Sequence, residues 1–349
     1  MSGRLKLRRG VVVSAKPLKV EVEGEQRAAW ADTTLLGEMH EGDDVVVNVV
    51  ALDLGLGSGG FDVVHVNLTR GLNSPSAPSD EHVIKLNYTS LQHPVDPIEL
   101  PERLMDPGGT KGAPEGGDEP IPVLVLPLHG HLAPAAWAAS QVLPGVKVGY
   151  VQTAGGALPA SLSRDVAELR KRGLLCGHIT AAPAYGGEHE AISVAGALDA
   201  AARKLEWDAV IAGPGPGIIG SDSRLGHGGM AALDTAHASL ALGLPTLLSP
   251  RLSSADPRER HRPVSHHTLT VMQLLLGGVG VPVPATEPVP IAVLATAAGW
   301  RHRLREAPTD PRGYEASGLP IRTMGRTLAE DPLFFAAALA SGRALADSA

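Results

Sequence analysis

The stretch Ala209-Val210-Ile211-Ala212-Gly213-Pro214-Gly215-Pro216-Gly217-Ile218-Ile219-Gly220-Ser221 decides the fold class. Four consecutive apolar residues run into a glycine-proline loop, and a helical period over Met230–Leu242 follows. A strand without polar alternation is covered on both faces, which is the habit of a parallel sheet flanked by helices. The same strand-loop-helix rhythm recurs on either side of this stretch, from residue 122 to residue 349. Strands are expected at Val123–Leu126, Val146–Val151, Leu174–Thr180, Pro245–Ser249 and Ile291–Leu294. Helices are expected at Pro134–Gln141, Ala160–Lys171, Glu190–Leu205, Met230–Leu242 and Ser265–Leu276, with a last one over Phe334–Leu345. Gly173 and Gly243 fall where helix C-caps belong. Right-handed crossovers would wind these elements into a Rossmann-like, doubly wound, mostly parallel sheet in a three-layer α/β sandwich. Ligands of such folds bind beyond the carboxyl ends of the strands, so the loops after the strands are where chemistry is sought.

Upstream, residues 1–95 read differently. Valine alternates over Leu18–Val22, and Glu23-Gly24 supplies a turn. Val45–Leu52 and Asp62–Leu68 flank Gly55–Gly60 as the arms of a hairpin with a glycine-rich tip. Several short strands with little helix between them point to a small barrel-like domain, since closure protects edge strands. Between the two, residues 96–121 are rich in Pro and Gly, and seven prolines lie between His93 and Pro122. That segment reads as a linker.

A length of 349 residues suits two domains. The formal net charge of −7 argues against broad binding to nucleic acid or to an anionic membrane. The one cysteine, Cys176, excludes an intrachain disulfide, and its apolar strand context suggests a buried structural thiol. The apolar run Val11–Val13 is too short for a signal peptide, and no stretch approaches a membrane span, so a cytoplasmic location is the default expectation.

The strand-end loops hold much of the histidine. Gly213, Gly215, Gly217 and Ser221 lie in a loop between strand and helix, where glycine lets backbone amides approach a ligand. The spacing matches neither the dinucleotide fingerprint nor a P-loop, and Pro214 and Pro216 remove donors, so a rigid turn is the competing reading. Gly155 and Gly156 follow the second strand, and Tyr185 and Glu188 follow the third; all four are candidate ligand contacts. In Asp256-Pro-Arg-Glu-Arg-His-Arg-Pro-Val-Ser-His-His-Thr268, Ser265 looks like a helix N-cap. Arg258, Arg260 and His261 beside that helix end suit a phosphate or carboxylate, unless Asp256 and Glu259 simply pair with them. A cation at a helix N-terminus opposes the dipole, so His266 and His267 are expected to be neutral. His129 and His131, with His189 as a third ligand, form a candidate divalent metal site without a diagnostic spacing. Capping of backbone groups is the alternative for those rings. No Gly-x-Ser-x-Gly elbow is present.

The runs Gly213–Ile218, Leu225–Gly229 and Arg260–His267, together with the Gly55–Gly60 hairpin, resemble a bacterial family known only as a domain of unknown function. The resemblance implies this pair of domains in one gene product and carries no activity with it.

Taken together, the residues suggest a protein that binds, and as an enzyme transforms, a small anionic or phosphorylated metabolite. His227, His266 or His267 would act as acid or base, with Asp222 or Glu188 orienting it. A non-catalytic regulatory module and a metal-dependent hydrolase on His129 and His131 are the alternatives. Nucleic acid and membrane are disfavoured as partners, and a homo-oligomer is compatible with the chain.

Overall fold

The computed structural model describes residues 4–55, 59–72, 82–100, 120–285 and 288–349. The chain divides into two compact units, Met1–His82 with Ser90–Pro94, and Val83–Thr89 with Val95–Ala349.

In the first unit, strands β1 (Leu7–Ala15), β2 (Leu18–Val22), β3 (Glu25–Trp30), β4 (Asp44–Asn48) and β5 (Asp62–Asn67) close a barrel in the order β1-β2-β3-β5-β4. Short helical turns α1 (Thr33–Leu36) and α2 (Val50–Asp53) interrupt it. The alternation seen in the sequence places Val12, Val20, Val22, Val45, Val47 and Val64 inside. The hairpin of β4 and β5 is antiparallel, as expected. Residues 56–58 of its glycine-rich connection lie outside the described residues.

The second unit takes in more of the chain than the expected boundary at residue 95. It includes strand β6 (Val83–Lys85), and the division between the units falls within β7 (His93–Val95), ahead of the segment 97–100. Lys85 is buried and donates to Thr180 O (2.9 Å), Ala184 O (2.6 Å) and Glu190 Oε2 (2.5 Å). Glu99, inside the expected linker, accepts from the amides of Ile192 and Ser193. Most of that linker, 101–119, lies outside the described residues.

The sheet of the second unit has eight parallel strands: β8 (Val123–Val125), β9 (Val148–Thr153), β10 (His178–Ala181), β11 (His189–Ala191), β12 (Ala209–Pro214), β13 (Thr246–Leu248), β14 (Gly280–Pro284) and β15 (Arg303–Ala307). Their order is β11-β10-β9-β12-β8-β13-β14-β15. Helices α3 (Leu132–Val142) and α4 (Arg164–Lys171) cover one face together with α9 (Pro311–Ala316) and α10 (Pro332–Ala346). Helices α5 (Val194–Arg203), α6 (Ala231–Ala241), α7 (His266–Leu274) and α8 (Ile291–Ala298) cover the other. Connections running toward β11 pass over the first face and those running toward β15 over the second, which is the doubly wound arrangement. The direction reverses around β12 and β8, at the centre of the sheet. A hairpin of β16 (Arg322–Thr323) and β17 (Arg326–Thr327) precedes α10.

Gly173 and Gly243 follow α4 and α6 with φ of 68° and 72°, the left-handed stop that glycine adopts without strain. Ser163, Ser193 and Ser265 cap α4, α5 and α7. Ile291–Leu294, expected as a strand, is instead the first turn of α8. The strand that follows β13 is instead Gly280–Pro284, whose Pro282 and Pro284 give up amide donors and hid it from a periodicity argument. Glu190 belongs to β11, so α5 starts four residues later than expected. Cys176 is exposed, in the bend before β10, and burial of its sulfur environment raises the thiol to about 11. Among the described residues no helix is long and apolar enough to cross a membrane.

Candidate functional site

A cavity of about 700 Å³ opens beyond the carboxyl ends of β8, β12 and β13. Leu128–Gly130 after β8, Pro216–Gly220 and His227 after β12, and Arg251–His267 after β13 contribute to its wall. The hairpin of β16 and β17 closes one side with Arg322, Thr323 and Met324. The volume lies within the range common for small-molecule sites, and the place is where a doubly wound sheet binds ligands.

The cationic side rests on Asp256, which is fully buried. Arg258 forks onto it with Nε and Nη2 at 3.0 Å each, and Arg251 Nη2 reaches it at 3.1 Å. Arg326 Nη2 adds a longer contact at 3.4 Å and turns its Nε to Asp331 at 3.0 Å. Burial alone would raise the Asp256 carboxyl, but the hydrogen bonds from Arg258 and the charges of Arg258 and Arg251 overcome it and hold it below the usual carboxylate range. Burial lowers Arg251 to about 10, opposed by Asp256, so the guanidinium remains a cation at neutral pH. Arg260 pairs with exposed Asp222 at 2.5 Å on the mouth of the cavity. The wall thus carries Arg251, Arg258, Arg260 and Arg322 against Asp165 and Asp222.

Four histidines line the same cavity beside Arg251. His227 and His267 stack with ring centroids 3.6 Å apart and planes within 9°. His266 meets both edge-on at 5.3 and 4.4 Å, and His261 lies 4.9 Å from His267. The Ser265 hydroxyl oxygen accepts from the His267 amide at 3.2 Å and shares a hydrogen bond with His261 Nδ1 at 2.7 Å. His227 Nε2 donates to Arg224 O at 3.0 Å. Burial is the largest cause lowering all four, with His261 held to about 3 and His267 to about 2, and the charge of Arg251 adds to it at each ring. The sequence argument expected neutral rings from the helix dipole; burial and Arg251 act in the same direction. His227 Nδ1 and His266 Nε2 are buried without a hydrogen-bond partner.

The structure brings some of the residues singled out in the sequence to this cavity and leaves others away from it. His129, Gly217, Asp222, His227, Arg258, Arg260, His261, His266 and His267 line the cavity. Ser265 sits behind it as the α7 cap. The other glycines do a different job. A Cβ on Gly155 would lie 2.3 Å from Gly228 O, one on Gly156 2.1 Å from Gly215 O, one on Gly215 2.2 Å from Ala157 O, and one on Gly213 2.8 Å from Leu126 Cβ. They let the loops after β9 and β12 press together, so their small size serves packing. Ser221 Oγ donates to Gly226 O at 3.0 Å and closes its own loop. Tyr185 is buried away from the cavity, and Glu188 pairs with Arg170 through Nη2 at 2.8 Å.

The expected metal trio of His129, His131 and His189 does not assemble. His129 donates from Nδ1 to Pro214 O (3.1 Å) and accepts at Nε2 from Ser163 Oγ (2.8 Å), which locks strand end to helix cap. His131 faces the core, with Nδ1 on Ser249 Oγ (2.8 Å) and its ring edge-on to Phe334. His189 pairs along β11 with Ile179. Among the described residues the histidines whose ligand atoms gather are His227, His266 and His267. Sequence reasoning missed Arg251, Asp165 and Arg322. Arg251 stands just past β13 and could have been found as a strand-end residue; Arg322 comes from a late hairpin that no local pattern ties to the rim.

No curated protein and no solved structure matches the chain. A family model described as "Protein of unknown function (DUF3866)" matches residues 28–342, nearly the whole length, and the chain belongs to that family.

Proposed function

We propose that the rim cavity binds a small metabolite carrying a phosphate or carboxylate group, and that it holds the reactive part of that molecule against the histidine wall. The observation that carries this reading is the one-sided charge of the cavity: four arginines and two aspartates face a volume of about 700 Å³. Arg251 and Arg258 are pre-set by Asp256, so little side-chain entropy is lost when an anion arrives. Arg260 is tied only to Asp222 at the mouth and can exchange that partner for a ligand oxygen. A module that merely senses an anion has no need of two buried, unpaired ring nitrogens in the same wall, and burying them costs free energy. That favours an enzyme over a regulatory module.

Calorimetry of the full chain against inorganic phosphate and a panel of phosphorylated and carboxylated metabolites tests the reading. Saturable binding that weakens with added salt and falls in Arg258→Ala and Arg260→Ala is the expected result. A panel with no saturable member, or binding indifferent to both substitutions, overturns it.

A further inference from the structure

We infer that His227, His266 and His267 form a site for a divalent transition-metal ion of the zinc class, open toward the anion cavity. Each ring offers a nitrogen within 4.8 Å of the others. Two of these rings, His227 and His266, each bury a nitrogen that nothing in the protein satisfies, His227 Nδ1 and His266 Nε2. The opposite nitrogen of His227 donates to Arg224 O at 3.0 Å. That bond fixes the tautomer and leaves the lone pair on Nδ1, which is how an outer carbonyl orients a metal-binding imidazole.

The backbone keeps room at the same place. A Cβ on Gly229 would lie 3.0 Å from His227 Nδ1 and 3.1 Å from His267 Nδ1, so any larger residue there would crowd the space where the two edges meet. His266 and His267 are consecutive in the first turn of α7, and Ser265 anchors that turn by accepting from the His267 amide. Nitrogens at about 2.0–2.1 Å from a tetrahedral ion stand about 3.4 Å apart, so the rings need only draw in and tilt out of the stack.

The donor set selects the ion. Three imidazoles and no carboxylate suit zinc, cobalt or nickel, whereas magnesium and calcium demand oxygen. Arg251 Nη1 lies 3.5 Å from His267 Nδ1, but Asp256 at 3.1 Å compensates its charge. Three protein ligands leave a fourth position for solvent or for an oxygen of the bound anion. The ligand set stands on its own geometry; only what fills the fourth position rests on the anion reading above.

The test uses the full chain, made without a polyhistidine tag, stripped by a chelator and titrated with Zn²⁺ and with Co²⁺. One equivalent should bind per chain, and Co²⁺ should give the strong visible bands of four-coordination. His266→Ala, at a half-buried position, should keep the far-ultraviolet spectrum and melting temperature of the stripped protein while weakening metal binding by well over about tenfold. His227→Ala should do the same. Absence of stoichiometric uptake, or uptake indifferent to His266→Ala and His227→Ala, overturns the site. Phosphate binding by stripped protein that takes up no metal would sink the ion and spare the anion cavity; metal uptake without any anion binding would do the reverse.

Discussion

His131 and His178 lie in the core of the α/β unit, and His227 and His266 lie at its rim; in each of the four rings one buried nitrogen lacks a hydrogen-bond partner. Their surroundings separate them. His131 is packed edge-on to Phe334 and His178 stacks on Tyr150, and neither belongs to the group of rings whose nitrogens gather at the cavity. His227 and His266 stand with a third ring, each offering a nitrogen within 4.8 Å of the others, beside a cavity lined with arginine. An unsatisfied nitrogen is therefore not a site in itself. It becomes one where several converge on a space that a small molecule or ion can enter.

The comparison can be broken most forcefully at the carboxylate beneath the rim. Asp256→Ala leaves Arg251 buried without its partner and should cost about 3–5 kcal/mol in urea unfolding of the full chain. A loss below 1 kcal/mol would mean that the arginines do not depend on it. Next, His131→Ala should cost about 2–4 kcal/mol, from the cavity under Phe334 and the lost bond to Ser249. His266→Ala should cost far less, because its ring is half exposed and its unpaired nitrogen is removed with it. Equal losses at the two positions would erase the distinction between core and rim.

Acid sharpens it further. Burial lowers His131 and His178 to about 3, from an ordinary value of 6.5. The unfolded chain takes up those protons below pH 6.5 and the folded protein does not until about pH 3, so stability is full above 6.5 and falls with pH across that window. Each ring adds a slope of up to about 1.4 kcal/mol per pH unit. Urea midpoints from pH 7.5 to 4.5 should fall less steeply in His131→Gln than in the parent, and parallel profiles would show that His131 is not held neutral. The smallest effect belongs to the mouth of the cavity. Arg260→Ala should leave stability within about 0.5 kcal/mol and weaken phosphate binding about tenfold, read by calorimetry at fixed salt.

The fold was readable where burial is two-sided. Val123–Val125, Ala209–Pro214 and Thr246–Leu248 are apolar because both faces of the sheet are covered, and Ser163, Gly173 and Gly243 mark helix ends by local chemistry. It was unreadable at the margins. β15 alternates because it is an edge strand, β14 is broken by proline, and the apolar Ile291–Leu294 turns out to open a helix with its outer side exposed. The rim loops were found through topology, and His227, His266 and His267, named in the sequence as alternatives for one acid-base role, lie close together. The metal assignment went to His129 and His131 because alternating histidines after a strand look like paired ligands. The chain instead turns into a short helical turn at His129–His131 and sends the second ring into the core. Arg322 was out of reach of the sequence, since only tertiary packing brings the late hairpin to the cavity that residues 218–220 line.

The tight seam of glycine on backbone, Gly155 against Gly228 and Gly156 against Gly215, also bears on how this protein can change. Two of the rim loops are interlocked main chain to main chain, so neither can be lengthened or re-sequenced without the other giving way. Variation meets less resistance on the other side of the cavity, at exposed Arg260 and in Arg322–Met324. A library randomised there would explore ligands on a constant floor, whereas one aimed at the glycines would mostly sample failures to fold.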